Sequence, residues 1–155
     1  MANKSTLNNF RDIVLQIQDI AEFYHAGISA LGANSKYIRC RTPKDINGSV
    51  DIDSAKKVKD PDGARWDYVI GYGDKAYFVE VHPASTSNIK EVLAKVGWLN
   101  KWLNKEATLL RDISYPPFIW IPSGAVRINK NSTHYRQLAQ EKILIKRFWI
   151  YDSKF

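Results

Sequence analysis

RWDYVIGYGDKAYFVEVH, residues 65–82, decides the fold of this chain. It predicts two strands, Trp66 to Tyr72 and Lys75 to Val81, because both segments are rich in aromatic and β-branched residues. Gly73-Asp74 between them has the composition of a two-residue hairpin loop. Such a loop places Tyr72 opposite Lys75 and thereby sets the register of the whole hairpin.

Two acidic residues face each other in this register. Asp67 falls opposite Glu80, and directly opposed residues have Cβ atoms about 4.5–5.5 Å apart. Facing carboxylates are unfavourable unless a cation or a shared proton compensates them, and a divalent metal ion is the common functional reason to keep such a pair. His82 lies two residues after Glu80 and therefore on the same face. The hairpin thus predicts a patch of Asp67, Glu80 and His82.

Both faces of the predicted hairpin are largely apolar, which is typical of a central sheet covered on both sides. Acids at the end of such a sheet are only partly solvated, and this favours a metal ion or a perturbed pKa. A purely structural alternative stays open. In that case the two carboxylates face water, or Arg65, which lies diagonally across from Glu80, neutralises it.

Length and composition indicate one ordinary globular domain over residues 1–155, with 45% hydrophobic and 25% charged residues. No apolar run approaches the roughly 18 residues of a membrane span. Cys40 is the only cysteine, which excludes an internal disulfide and a CxxC metal site. Residues 1–6 lack the apolar stretch of a signal peptide, so we predict a cytoplasmic protein without membrane association.

The net charge of +7 is unevenly placed along the chain. Residues 1–100 carry 13 Lys and Arg against 12 Asp and Glu, whereas residues 101–155 carry 10 against 4. This bias suits a polyanion, and nucleic acid, with DNA favoured, is the first candidate partner. The alternative is a well-solvated basic surface.

The rest of the chain predicts an α/β fold with a mixed central sheet of four to five strands, flanked by helices. Pro83 is expected to end the second hairpin strand. Periodicity and capping signals predict helices at residues 6–25, 88–106 and 133–143. The other strands are expected at residues 37–41, 48–52, 118–121 and 148–151.

The helix predicted at residues 88–106 carries three lysines that we expect to contact phosphate groups: Lys90, Lys95 and Lys101. The alternative for them is a solvated helix face. Trp98 and Trp102, four residues apart on this helix, are expected in the core rather than as a stacking platform for bases.

The pattern resembles the PD-(D/E)xK nuclease superfamily, which has the restriction-endonuclease-like fold. That family places an Asp on one strand and Glu-x-Lys on the next, with a helix on either side. Asp67 matches the first acid and Glu80 the second. The resemblance implies an αβββαβ core over residues 7–122 and hydrolysis of phosphodiester bonds. It also implies one Mg²⁺ or Mn²⁺ held by Asp67, Glu80 and the backbone carbonyl of Val81.

His82 stands where the family has Lys, which is the main departure from the pattern. A neutral imidazole accepts a proton from water, and a protonated one replaces the missing charge. Lys90 or Lys95 is an alternative source of that cation. The resemblance therefore implies a catalytic set of Asp67, Glu80, His82 and Lys95, unless activity has been lost.

Two other functions stay open. The first is a catalytically inactive nuclease fold that binds nucleic acid or another protein. The second is an interaction protein, such as a toxin partner or an accessory subunit, for which residues 148–151 offer an edge strand. A homodimer is also compatible with the sequence.

Overall fold

The computed structural model describes residues 9–40 and 42–151. Within them lie eight strands: β1 (Tyr24–His25), β2 (Ile38–Cys40), β3 (Ile46–Asp51), β4 (Tyr68–Tyr72), β5 (Lys75–Ser85), β6 (Phe118–Arg127), β7 (Ile143–Ile145) and β8 (Trp149–Tyr151). Six of them form a mixed sheet in the order β1-β3-β4-β5-β6-β7. Its strands are antiparallel from β1 to β5 and parallel from β5 to β7. The predicted mixed α/β sheet is confirmed, with more strands than the four to five expected.

Within the same described residues, five α-helices accompany the sheet: α1 (Phe10–Gln16), α2 (Ile52–Lys56), α3 (Thr86–Lys105), α4 (Thr108–Asp112) and α5 (Thr133–Gln140). Apolar side chains of α1, α3, α4 and α5 pack into one core with one face of the sheet. A 3₁₀ segment, Ser29–Tyr37, helps to cover the other face. Among the described residues, no helix is both long and apolar enough to cross a membrane.

The central hairpin has the predicted register. Tyr72 pairs with Lys75 and Tyr68 with Val79. Gly73 has φ +59°, as the first central residue of the predicted two-residue loop requires, and glycine adopts this conformation without steric cost. The loop therefore sets the register that brings Asp67 and Glu80 to the same end of the hairpin.

The hairpin is covered on both faces, as its pattern predicts. Val69 and Phe78 are buried in the core with the α-helices, whereas Ile70 and Val79 are buried in the second core. Strand alternation predicts Trp66 on the same face as Tyr68 and Ile70, and that placement is wrong. It precedes β4 and packs in the first core, with its ring centroid 5.8 Å from that of Phe118.

The prediction that Pro83 ends the second hairpin strand is wrong. β5 continues to Ser85, beyond the end of β4, and there pairs in parallel with β6. The β5–β6 register shifts between His82 and Ala84, so Pro83 sits at an irregularity where its missing N–H breaks no regular ladder. This longer strand carries His82 inside β5 and positions the start of α3.

The predicted helix at residues 6–25 is shorter in the structure. Residues 6–8 lie outside the described part of the chain, and α1 ends at Gln16. Tyr24 then pairs with Val50 as part of the sheet, so a long-range strand pairing overrides the local helical periodicity. The stripe formed by Phe10, Ile13 and Val14 is buried as expected.

Other differences concern the edges of the fold. The predicted helix at 133–143 ends at Gln140, and Lys142, with φ +59°, leads into β7. The strands predicted at 37–41 and 148–151 pair with each other as β2 and β8, outside the main sheet. Arg41 lies outside the described residues. Helices α2 and α4 arise in segments without a helical prediction.

Gly71→Ala is expected to destabilise the fold by about 1–3 kcal/mol, because an added Cβ would clash with the ring of Phe10. Gly97→Ala on α3 is the matched control, since open space surrounds its Cβ position. Removing a helical glycine there should stabilise by about 0.5–1 kcal/mol. Urea denaturation of both variants tests this difference, and equal effects would contradict the close packing of α1 on β4.

Candidate functional site

Asp67 and Glu80 are fixed by backbone hydrogen bonds just beyond the end of the β4–β5 ladder. The N–H of Asp67 donates to Glu80 Oε1 at 3.0 Å, and the N–H of Val81 donates to Asp67 Oδ2 at 3.0 Å. The N–H of Ile52, at the start of α2, donates to the Asp67 carbonyl oxygen at 2.8 Å. These bonds replace the regular ladder, which ends at Tyr68, and fix both carboxyl groups.

Lys95 of α3 supplies the cation between the two carboxylates. Its Nζ forms an ion pair with Glu80 Oε2 and lies 3.6 Å from Asp67 Oδ1. Helix α3 begins with a capping box formed by Ser85 and Asn88 directly after β5. Because β5 and β6 are parallel, the helix that connects them must return along the sheet, and this brings Lys95 over the start of the hairpin.

Burial makes this cluster electrostatically unusual. Glu80 is fully buried, and the side chain of Asp67 is 19% exposed. Burial and then the nearby charge of Glu80 raise the pKa of Asp67 to about 7, although Lys95 and the N–H of Val81 oppose the shift. Burial disfavours the charged form of Lys95, but the attraction of Glu80 and Asp67 outweighs it and raises its pKa.

His82 is placed beside Glu80, as predicted, but between two carboxylates. Its Nδ1 lies 3.5 Å from Glu80 Oε2, and its Nε2 lies 3.0 Å from Glu91 Oε2. The hydrogen bond to Glu80 is the main cause of a raised His82 pKa, and burial opposes the shift. Trp120 Nε1 donates to the His82 carbonyl at 3.0 Å. This environment favours the imidazolium form.

The structure brings together Asp67, Glu80, His82 and Lys95, but not the other two predicted lysines. Lys90 and Lys101 are exposed and belong to a separate stripe of α3.

Arg65 does not neutralise Glu80, contrary to the structural alternative. Its Nε donates to Asp53 Oδ1 at 2.9 Å, and its Nη1 donates to the carbonyl oxygens of Asp60 and Pro61. Since α2 presents Asp53 beside the hairpin, Arg65 is satisfied there. Lys95 therefore supplies the counter-charge for Glu80.

Two acidic residues near the site were not predicted, Glu91 and Asp53. Glu91 precedes Lys95 by four residues, a spacing that puts both side chains on one helix face, so the sequence carried a usable signal. Asp53 had no such signal, because it lies in a segment that was predicted to be a loop.

The donor set suits a hard divalent cation only in part. Among the residues that the structure describes, no group of three or more His, Cys, Asp or Glu side chains is arranged to hold a metal ion. The carboxylates of Asp67 and Glu80 nevertheless approach one shared cation, the Lys95 ammonium. Oxygen donors of this kind fit Mg²⁺ or Mn²⁺, provided that the ammonium shifts. Val81 contacts Asp67 through its N–H in the present arrangement.

The apo protein should lose stability relative to Asp67→Asn as the pH rises from 5 to 7. The pKa of Asp67 is raised in the folded protein to about 7, above the ordinary value of 3.8. The bound proton therefore contributes stability that is complete below the unfolded pKa and is lost as the pH rises through 7. The difference should change by up to about 1.4 kcal/mol per pH unit. Urea denaturation in EDTA measures it, and a constant difference would contradict the raised pKa.

Comparisons of the chain with family models, curated proteins and solved structures found no match.

Proposed function

We propose that this protein is a metal-dependent nuclease that hydrolyses phosphodiester bonds in nucleic acid. The observation that carries the proposal is the convergence of Asp67 and Glu80, from adjacent strands, on the ammonium of Lys95 from the helix that follows them. The element order α1, β3, β4, β5, α3, β6 supports a restriction-endonuclease-like αβββαβ core, with β1, β2, α2 and α4 added between these elements.

Asp67 and Glu80, together with the backbone carbonyl of Val81, would hold one Mg²⁺ or Mn²⁺. When bound, such an ion polarises a phosphate and lowers the pKa of water. With an ion held there, Lys95 would leave the two carboxylates and would place its ammonium near the scissile phosphate. There it stabilises the negative charge that develops during the reaction.

His82 acts in this proposal as a cation rather than as a general base. Glu80 and Glu91 raise its pKa and so favour the imidazolium near neutral pH. Both ring nitrogens face carboxylates, so the imidazolium contributes through its positive charge, which offsets phosphate charge. Lys90, Lys101 and the basic last third of the chain contact the phosphate backbone without reading sequence.

One observation favours the second candidate, an inactive nuclease fold that binds nucleic acid or a protein. The Lys95 ammonium already compensates both carboxylates, so the cluster is stable without a metal ion. In that case salt-sensitive binding occurs without metal-dependent cleavage.

The wild-type protein tests the two candidates directly. Plasmid, duplex and single-stranded oligonucleotides are incubated with Mg²⁺, Mn²⁺ or EDTA, and Mn²⁺ binding is measured by calorimetry on the same sample. Cleavage with metal and none in EDTA supports the nuclease. Nucleic-acid binding without cleavage under any of these conditions supports the second candidate.

A further inference from the structure

A second site lies along the same helix as Lys95. A cavity of about 430 Å³ lies within the usual range for ligand sites. Its lining consists of two tryptophans, four lysines and three acidic residues: Trp98, Trp102, Lys56, Lys59, Lys101, Lys105, Asp19, Asp60 and Glu106. None of these side chains belongs to the cluster of Asp67 and Glu80. The cavity thus combines aromatic rings with a small excess of positive charge.

Trp102 presents a buried hydrogen-bond donor that has no acceptor. Only 4% of the Trp102 residue is exposed. Its Nε1 has no hydrogen-bond partner among the described residues. An unsatisfied buried N–H costs about 1–3 kcal/mol. The neighbouring Trp98 differs, because its Nε1 donates to Asp60 at 2.8 Å. Solvent does not reach this N–H, so it is the ring of Trp102, not its N–H, that contributes to the cavity lining.

The two indoles form a stacked pair. Their ring centroids are 5.9 Å apart and their planes differ by 16°. Trp98 is partly exposed, whereas Trp102 is buried. Both were expected in the core: Trp102 is buried there, and Trp98 packs, partly buried, against it while also lining the cavity. A partly exposed indole is a suitable surface for stacking a nucleobase, since every base has a π face.

The lysines on the α2 side of the cavity are already compensated. Lys56 Nζ lies 2.6 Å from Asp19 Oδ2 and 3.3 Å from Glu106 Oε2, and Lys59 also pairs with Asp19. These contacts make that wall rigid and close to neutral. It offers little attraction for an additional anion.

The lysines on the α3 side, Lys101 and Lys105, are exposed and form no ion pair with a described residue. Two ammonium groups next to an indole pair favour a ligand that joins an aromatic ring to an anion. Trp102 lies seven residues after Lys95, which corresponds to about 10 Å along the helix axis. A strand that passes Lys95 can therefore place a neighbouring nucleotide in the cavity.

We infer that this cavity is a subsite for one unstacked nucleotide of a single-stranded segment, with its base on the tryptophan pair and its phosphate near Lys101 and Lys105. The assignment of the bound nucleotide to a nucleic-acid strand, and not to a free nucleotide, rests on the proposed function.

The test follows the indole N–H signals of ¹⁵N-labelled protein in EDTA, where no metal-dependent cleavage occurs. The Trp102 signal is assigned with Trp102→Phe. The probes are a short oligothymidylate, thymidine monophosphate and inorganic phosphate. We expect the oligothymidylate to shift the Trp102 signal. In Lys101→Ala/Lys105→Ala its affinity should fall by about tenfold or more.

The matched control is Lys36→Ala/Lys44→Ala, which removes two exposed charges outside both the cavity lining and the basic last third of the chain, and it should change affinity by less than about twofold. An unmoved Trp102 signal overturns the subsite, as does an equal shift with phosphate alone. If thymidine monophosphate binds as tightly as the oligothymidylate, the ligand is a free nucleotide, and the strand is overturned as its source. Cleavage by a protein whose Trp102 signal does not move refutes only the subsite, whereas a shift without any cleavage refutes only the nuclease.

Discussion

Asp67→Asn is expected to lower metal-dependent cleavage by roughly 1,000-fold or more, equivalent to about 4 kcal/mol of activation free energy. The amide keeps an oxygen that can accept the N–H of Val81, so the local fold is preserved. It removes the negative charge with which Asp67 would hold the divalent ion. Initial cleavage rates at pH 8 measure the effect, and Mn²⁺ titration should show weakened binding.

Asp74→Asn is the matched control for this experiment. It makes the same chemical change in the same hairpin, but in the exposed loop at the end opposite Asp67. Its cleavage rate should equal that of wild type. If Asp67→Asn, purified in the same way, cleaves within about tenfold of Asp74→Asn, the site does not carry the reaction.

Lys95→Met is expected to destabilise the protein by about 3–5 kcal/mol, because it leaves the fully buried Glu80 with only His82, 3.5 Å away, as a counter-charge. Methionine retains the apolar length of the side chain and packs in similar space. Cleavage should also fall by about 100-fold through loss of the ammonium near the phosphate. Urea denaturation in EDTA and cleavage rates of the still folded fraction measure the two effects separately.

Adding Glu80→Gln should restore most of the lost stability. The glutamine oxygen can still accept the N–H of Asp67, while the uncompensated charge is gone. Lys90→Met, an exposed lysine on the same helix, should change the free energy of unfolding by less than about 0.5 kcal/mol. A double variant no more stable than Lys95→Met would contradict a direct Lys95–Glu80 pairing.

The hairpin was predictable because its determinants are local. The Gly73-Asp74 loop sets the pairing of Tyr72 with Lys75, and side chains in strands alternate with a period of two. The register and the period together predict that both faces of the hairpin are covered. They also place Asp67, Glu80 and His82 on one face. The predicted helix after β5 likewise follows from its capping residues and its apolar stripe.

Helix α1 and strand β7 were mispredicted because their conformations depend on distant partners. The periodicity of residues 6–25 is compatible with one helix, yet Tyr24 gains a strand partner in Val50. Ile143 looked like the end of a helix, yet it pairs with Phe118. Sheet pairing of this kind satisfies backbone N–H and C=O groups that a frayed helix end leaves open.

The candidate site likewise has one part set by local sequence and another part set by distant contacts. The sequence by itself determined that Asp67 and Glu80 face each other and that His82 lies beside Glu80, because a two-residue turn and a period of two leave no other register. Only the tertiary structure decided that Lys95, fifteen residues after Glu80, is the cation between them. It also decided that Arg65 instead binds Asp53. These pairings depend on how α2 and α3 pack against the sheet, and the contacts that set this packing lie far apart in the chain.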